Sequence, residues 1–316
     1  GIGTVVVPGQ GDAAVIRVPG TEQALAISAD CNSRFCYLDP REGARLAVAE
    51  CARNLSCVGA LPLGVTDCLN FGDPTHPEIM WQFSEAVEGM SEACEAFGTP
   101  VVSGNVSLYN ASFDRDIYPT PTVAMVGSFE TPISGSGLNA DGYCDMLFKE
   151  AGDLVYLLGE THTEDLGGSE YLWMRTGELG DRPPRLDLDK EKAVQILIRR
   201  LIGENVVRSA HDCSEGGLGV ALAESCIGPD RLLGLELDVP VPERPDLLLF
   251  TESPSRIVVS VTEEQGARLM ALAAEARVPI ERLGQVTERP RFVWGDVLDK
   301  PMGDLHYAHS RGLATL

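Results

Sequence analysis

The segment from residue 60 to residue 107 constrains the fold more than any other part of the sequence. An apolar run, ALPLGVTD, precedes a stretch in which apolar side chains recur at helical spacing: Ile79, Phe83, Val87, Met90, Cys94 and Phe97. This spacing places all of them on one face of a helix, and Gly98 is a natural end for it. A second apolar run, TPVV, follows directly. A strand, an amphipathic helix and a strand in this order predict a mixed α/β fold.

The same alternation continues through two blocks of the chain. A length of 316 residues suggests about two domains. Residues 131–150 begin with a stretch rich in Gly, Ser, Pro and Asn, and the strand pattern restarts after it at DLVYLLG. We therefore predict an α/β domain over residues 1–130, a connection over 131–150 and a second α/β domain over 151–316. In the second block, LLLFTES is predicted to be a strand, and two strands are expected to finish the chain.

Charge and cysteine content exclude several classes of protein. The formal net charge is -22, and no run of Lys and Arg interrupts the acidic character, which argues against nucleic-acid and anionic-membrane surfaces. The nine cysteines form no C-x-x-C pair, so reduced thiols in the cytoplasm explain them better than disulfides or zinc. No apolar run reaches membrane-spanning length, and no signal peptide is visible. Because the chain opens without Met, we expect it to be a piece of a longer protein.

Small polar residues follow two predicted strands of the first block. Asp67 comes after ALPLGVT, and Gly104, Asn105 and Ser107 come after TPVV. Loops at strand ends commonly bind ligands in α/β proteins. The oxygens of Asp67 and Asn105 could share one hard cation, Gly104 could let backbone approach a phosphate, and a Ser hydroxyl could donate to it. The same residues also suit tight turns and helix caps, so the residues alone leave both interpretations open.

Other polar clusters are weaker candidates. Asp12 and Asp30 lie near other strands of the first block, and the second block contains DLGGSEY (165–171), HDCSEGG (211–217) and TESPSR (251–256). The first of these three could cradle a phosphate. The histidine of the second could do acid–base work, or its aspartate could cap a helix. The arginine of the third could bind a phosphate or pair with the nearby glutamate.

Four motifs in order carry a resemblance to a known family: DCLNFGDPTHPEIMWQF, GTPVVSGNVSLYN, LGGSEYL and SAHDCSEGGLGVALAESC. Together they make the chain resemble the synthetase subunit of the phosphoribosylformylglycinamidine synthase family. That synthetase contains two tandem copies of a two-domain unit similar to aminoimidazole ribonucleotide synthetase, and this chain resembles the second copy over essentially its whole length. The resemblance implies a barrel-forming N-terminal α/β domain and a layered C-terminal α/β domain.

The resemblance also implies an activity. ATP activates the formamide oxygen of formylglycinamide ribonucleotide as an iminophosphate, and ammonia from a separate glutaminase then displaces phosphate. On the matching positions, Asp67 and Gly104 would contact ATP, Asn105 would hold Mg²⁺, and Ser107 would contact the ribonucleotide. SGNVSLYN (103–110) is then expected to be a ligand-facing loop.

The family's catalytic histidines lie in the first half of the synthetase, so the resemblance assigns no catalytic residue to this chain. We expect the isolated chain to be inactive, to form a homodimer, and to need the first half and a glutaminase as partners. Ser103 and Pro254 depart from the common family pattern. The change at Ser103 is of little consequence, whereas that at Pro254 puts a ligand role of the TESPSR loop in doubt. Two alternatives stay open: a non-catalytic nucleotide-binding scaffold, and a free-standing relative such as selenophosphate synthetase or thiamine-monophosphate kinase.

Overall fold

The strands of the two blocks form separate sheets of six and seven strands. The computed structural model describes residues 3–6, 9–113, 115–130 and 142–312. Of the predicted connection, residues 131–141 lie outside the described residues, and residues 142–150 contain no helix or strand. The domain boundaries given above therefore stay a prediction. None of the described helices combines the length and apolarity needed to cross a membrane.

The first sheet is antiparallel except at one edge. Its first five strands are β1 (Thr4–Val6), β2 (Ala14–Arg17), β3 (Ala24–Asp30), β4 (Leu61–Asn70) and β5 (Val101–Ser107). A short hairpin of β6 (Ala111–Ser112) and β7 (Arg115–Asp116) leads to the last strand, β8 (Thr120–Ser128). The strand order is β1-β2-β3-β8-β4-β5, and the β4–β5 pair is parallel. β5 is therefore an edge strand.

Three helices pack on the first sheet: α1 (Ser33–Leu38), α2 (Pro40–Cys57) and α3 (Pro77–Phe97). α2 begins where it does because the Asp39 side chain accepts hydrogen bonds from two first-turn amides and Pro40 occupies the first turn. α3 ends at Gly98, whose φ is 70°. The predicted amphipathic helix and its end are thus confirmed, and its apolar face packs against the sheet core.

The opposite face of the first sheet, here called the open face, carries exposed apolar side chains. They include Ile16 (39% exposed), Ile27 (40%), Leu63 (47%) and Val126 (38%). Alternation along each strand points these side chains away from the helix-covered core. A row of exposed apolar groups on one face of a sheet is typical of a surface that another protein surface covers.

The second sheet lies between two layers of helices. Its strands are β9 (Leu154–Leu158), β10 (Ser209–Asp212), β11 (Gly234–Leu237), β12 (Ile257–Val261), β13 (Ile280–Thr287), β14 (Arg291–Trp294) and β15 (Leu298–Pro301), in the order β10-β12-β9-β13-β11-β14-β15. After α4 (Glu170–Thr176), the helices are α5 (Leu188–Gly203), α6 (Gly217–Ser225), α7 (Pro245–Phe250), α8 (Glu263–Ala276) and α9 (Met302–Arg311). α5 and α8 pack on one face, and α6, α7 and α9 pack on the other.

Two predictions for the second block are wrong. The leucines of LLLFTES lie in α7 instead of a strand, because Pro245 and Asp246 form a favourable first turn. The chain also does not finish with two strands, since β13, β14 and β15 are followed by α9. α9 has one buried side chain, Met302, so its helical periodicity in the sequence is weak.

Candidate functional site

The four predicted ligand-binding residues lie on two neighbouring strands. The register of the parallel pair places Asp67 opposite Gly104, Cys68 opposite Asn105 and Asn70 opposite Ser107. The sequence predicted a loop at SGNVSLYN, but its first five residues belong to β5. Pairing with β4 on one side holds these polar residues extended despite their turn preference. Residues 101–106 of this edge strand are exposed.

Asp67 and Gly104 are in close contact. A β-carbon added at position 104 would lie 2.3 Å from Oδ1 of Asp67, so a larger residue there would force this carboxylate to move. Partial burial raises the pKa of Asp67. The charge of Asp67 also raises the pKa of Cys94, after the larger effect of burial on that thiol. Because Cys94 belongs to α3, the Asp67 carboxylate lies on the helix-covered side of the sheet.

Asn105 points the other way. Successive side chains of a strand alternate between the two faces, so Asn105 lies on the face opposite that of Gly104 and Asp67. The expectation that Asp67 and Asn105 share one cation is therefore not met by this arrangement. Ser107 does lie on the same face as Asn105, and its hydroxyl donates to Oδ1 of Asn110 at 3.2 Å. The strand edge thus offers separate polar groups on its two faces.

A buried cluster of charges joins the two blocks. The guanidinium of Arg53, on α2, donates from Nη1 to Glu191 at 2.9 Å and from Nε and Nη2 to the Asp212 carboxylate. Arg53 and Glu191 are 2% and 0% exposed. Burial raises the pKa of Asp212, and Arg53 opposes that shift. Glu50, on the same helix, lies 3.7 Å from the guanidinium. Because Glu191 and Asp212 come from the second block, the guanidinium ties the two sheets together.

Three carboxylates next to this ion cluster could hold a cation. Asp30, Glu50 and Glu215 each offer an oxygen, and these oxygens lie within 4.8 Å of one another. Burial raises the pKa of Asp30 and of Glu50, and repulsion between neighbouring carboxylates adds to both shifts. A set of carboxylate oxygens suits a hard divalent cation such as Mg²⁺. The sequence indicated Asp30 and Glu215 separately and missed Glu50, because its position in an apolar helix gives no signal of a ligand.

His211 lies between two carboxylates and is not available as a base. Its Nδ1 is 2.6 Å from Asp12, and its Nε2 is 3.1 Å from Glu224. Burial alone would lower the pKa of His211, but Asp12 and Glu224 outweigh burial and raise it to about 10. The imidazolium therefore stays charged at neutral pH and links the segment before β2 to β10 and α6. The acid–base interpretation of HDCSEGG is not supported.

The other motif residues serve the fold. Arg256 is fully buried and donates to the carbonyl oxygens of Thr251 and Ser253 at 2.7 and 2.8 Å, so it neither pairs with Glu252 nor faces a ligand. In DLGGSEY, a β-carbon at Gly167 would lie 1.8 Å from the carbonyl oxygen of Arg182. Close packing therefore explains this glycine without a phosphate.

The carboxylate of Glu252 accepts hydrogen bonds at the starts of two helices, a position that favours a negative charge. Its Oε1 accepts from the backbone amides of Gly216 at 2.8 Å and Glu170 at 2.9 Å, next to the starts of α6 and α4. Its Oε2 is buried and has no hydrogen-bond partner among the described residues. Burial raises the pKa of Glu252 to about 7.

Two domain models match this chain in sequence. They are "AIR synthase related protein, N-terminal domain" over residues 10–129 and "AIR synthase related protein, C-terminal domain" over residues 150–295. Together they account for most of the 316 residues. The chain belongs to the AIR synthase-related family. The α/β fold class with two AIR synthase-related domains is therefore confirmed.

Curated relatives of this chain include PurL subunits. The chain is 48% identical to phosphoribosylformylglycinamidine synthase subunit PurL of Anaeromyxobacter dehalogenans over 96% of its own length. It is 50% identical to the same subunit of Moorella thermoacetica over 89% of its length. It spans only 40% and 37% of these two relatives. The resemblance to the phosphoribosylformylglycinamidine synthase family is thereby confirmed.

Solved structures of the AIR synthase-related fold agree in architecture. Thermotoga maritima PurL complexed with FGAR superposes with a TM-score of 0.76 at 20% identity, covering 96% of this chain and 49% of that one. The same protein complexed with ATP gives 0.69 at 18% identity, covering 95% and 45%. The tt0281 protein of Thermus thermophilus gives 0.65 at 19% identity and covers 92% and 90%. At these identities the superpositions show the fold alone.

Proposed function

We propose that this chain is the second half of an ATP-dependent carbon–nitrogen ligase that makes formylglycinamidine ribonucleotide in purine biosynthesis. The observation that carries the proposal is 48% identity to a PurL subunit over 96% of the chain, together with coverage of only 40% of that relative. T. maritima PurL, which shares the fold, forms complexes with FGAR and with ATP.

The proposed reaction has two steps. The formamide oxygen attacks the γ-phosphorus of ATP, ADP leaves, and an iminophosphate forms. Ammonia then attacks the carbon, and phosphate leaves to give the amidine. We assign ATP contacts to Asp67 and Gly104 and a ribonucleotide contact to Ser107. Such phosphoryl transfer needs positioning and charge neutralisation more than covalent help from the protein.

Magnesium would neutralise phosphate charge in this reaction. We assign Asn105 as one ligand, as the family resemblance implies, and this residue is exposed on the open-face side of β5. The carboxylates of Asp30, Glu50 and Glu215 are a second set of donors with the chemistry that Mg²⁺ prefers. Asn105 lies on the edge strand of the first sheet, whereas the three carboxylates lie beside the buried charges that join the two blocks.

The proposed partners follow from the exposed surfaces and from the share of the relatives that is covered. The first half of the synthetase would cover the open face, and a glutaminase would supply ammonia from glutamine. Without the first half, two copies of this chain would pair through the same face, since burying exposed apolar area is favourable. We place the protein in the cytoplasm, where its nine cysteines would stay reduced.

The test is reconstitution. The chain and the separately expressed first half would be assayed alone and together for ADP release that depends on both FGAR and ammonia. We expect activity only from the pair. Turnover by the chain alone would contradict the proposal. A pair that binds ATP and FGAR without turnover would favour the scaffold alternative.

A further inference from the structure

A pocket with a cationic rim lies at one end of the second sheet. It has a volume of about 140 Å³ and opens between the end of β9, the start of α5 and the end of α8. Ala193, Val194 and Val278 contribute apolar surface, while Arg185 and Arg277 contribute positive charge. None of the residues assigned to ATP, Mg²⁺ or the ribonucleotide lines it. The pocket is therefore separate from the proposed ligase site.

Positive charge is in excess in this pocket. Its lining contains Lys190, Arg185 and Arg277 but only two carboxylates: Glu160 pairs with Lys190 at 2.9 Å, and Asp187 accepts from the first amides of α5. In the part of the chain that the structure describes, the guanidinium groups of Arg185 and Arg277 have no hydrogen-bond or ion-pair partner. Two unpaired arginines in one pocket are notable in a chain with a net charge of -22. A local positive potential of this kind attracts anions.

One wall of the pocket holds an unusual backbone conformation. Ser255 has a φ of 60° although it is not glycine, whereas the positive φ of Arg277 is that of the left-handed C-cap that ends α8. The Ser255 hydroxyl donates to Glu191 at 2.5 Å, which fixes that conformation. Gly159 approaches so closely that a β-carbon there would lie 2.1 Å from the carbonyl oxygen of Ser255. Such strained residues concentrate at ligand-binding sites and persist only where the surrounding structure holds them.

We propose that this pocket binds the anionic group of a small organic molecule, with the carboxylate or phosphate on Arg185 and Arg277. The planar guanidinium group matches both anions through paired hydrogen bonds. Ala193, Val194 and Val278 would contact the apolar part of the same molecule. This inference does not depend on the proposed ligase activity, since it uses none of the same residues.

The test measures binding to the full-length protein at low ionic strength, where screening is weakest. The probes are butyrate, inorganic phosphate and butyramide, which keeps the body of butyrate and lacks its charge. We expect saturable binding of butyrate or phosphate by calorimetry or NMR. Butyramide should bind at least about tenfold more weakly, because it cannot form the charge-assisted hydrogen bonds.

Two variants locate the site. Arg277→Gly removes a guanidinium and relieves a positive φ, so it should not harm folding. Arg185→Gln removes the other charge from an exposed position. Each should weaken anion binding by roughly tenfold. Arg175→Gln removes an exposed positive charge from α4, outside the pocket, and should leave binding unchanged.

The relative affinities of the three probes identify the class of ligand. Tighter binding of butyrate identifies a carboxylate ligand, and tighter binding of phosphate identifies a phosphate ligand. Equal affinity for butyramide and butyrate would overturn the proposal, and so would anion binding that survives both pocket variants. The absence of saturable binding of either anion up to about 10 mM would overturn it as well.

Discussion

The carboxylate of Asp67 fills the space where a side chain at position 104 would begin, on the neighbouring parallel strand. A β-carbon at Gly104 would lie 2.3 Å from its Oδ1. The two residues proposed to contact ATP are thus one steric unit. A change at one should alter the position of the other.

Gly104→Ala should therefore destabilise the protein by about 1–2 kcal/mol, because the new methyl group displaces Asp67. In an Asp67→Ala background the clash is gone. There the same substitution should be neutral or stabilising by about 0.5 kcal/mol, since alanine restricts the unfolded chain. Urea denaturation of the four proteins measures the coupling. Equal costs in both backgrounds would show that the two residues do not interact.

Asn105→Ala should impair use of Mg·ATP in the reconstituted pair while changing stability by less than about 1 kcal/mol, because the side chain is exposed. A lost metal ligand should cost at least the roughly 10- to 100-fold in metal affinity typical of groups that only position ligands. The measurement is the Mg²⁺ dependence of ADP release. Ser103→Ala, on the same face of β5, is the matched control. A normal Mg²⁺ dependence for Asn105→Ala would remove this residue from the site.

Glu252→Gln should change how stability depends on pH. The folded pKa of Glu252 is raised from 4.5 to about 7, so its contribution is complete below pH 4.5 and is lost as the pH rises through 7. Glutamine keeps an oxygen for the two backbone amides and carries no charge. We expect the variant to be more stable than the parent by on the order of 1–3 kcal/mol at pH 8, and similar to it near pH 4.

Denaturation at both pH values checks this prediction. Glu95→Gln, an exposed position on α3, controls for the change in net charge alone. A gain that is the same at pH 4 and pH 8 would mean that ionisation of Glu252 is not its source.

Arg53→Met should be strongly destabilising at pH 7.5, by about 3–5 kcal/mol, because it leaves Asp212 and Glu191 buried without their cation. The loss should be smaller at pH 5, where the carboxylates take up protons more easily. Adding Asp212→Asn should recover part of the loss, since one stranded charge is removed. Thermal unfolding at the two pH values measures both effects. A cost that is unaffected by pH and by Asp212→Asn would indicate a packing defect.

Leu63→Lys should weaken self-association of the isolated chain, because it places a charge in the open face. Met270→Lys changes an equally exposed apolar side chain on α8, outside that face, and should not. Sedimentation at micromolar concentration distinguishes the two. A monomeric parent chain, or identical association of both variants, would exclude the open face as the contact.

Local patterns in the sequence predicted the long elements well. The period of α3 and its end at Gly98 follow from side chains within one helix, so no tertiary information was needed. The prediction failed at α7, where a six-residue helix is too short for its period to differ clearly from a buried strand. It also failed at SGNVS, where pairing with β4 outweighs the turn preference of Gly and Asn.

The buried charged cluster around Arg53 could not be predicted from the sequence, for a different reason. The two hydrogen-bonded partners of Arg53, Glu191 and Asp212, lie 138 and 159 residues away, and nothing in the local sequence marks Arg53 as buried. Glu50 likewise gives no sign of a ligand role in the sequence, since it stands in an apolar helix. The contact of Asp67 with Gly104 needed the strand register, which the sequence does not specify.

The position of Arg53 also limits whether the two blocks of the chain can be inherited separately. The arginine is encoded in the first block, and its two close counter-ions, Glu191 and Asp212, are encoded in the second. A recombination event that moved either block alone into another protein would separate these charges and leave Arg53 only its longer contact with Glu50, at 3.7 Å. Duplications and fusions that succeed should therefore copy the two blocks together, and genes that carry only one should have lost either the arginine or its counter-ions.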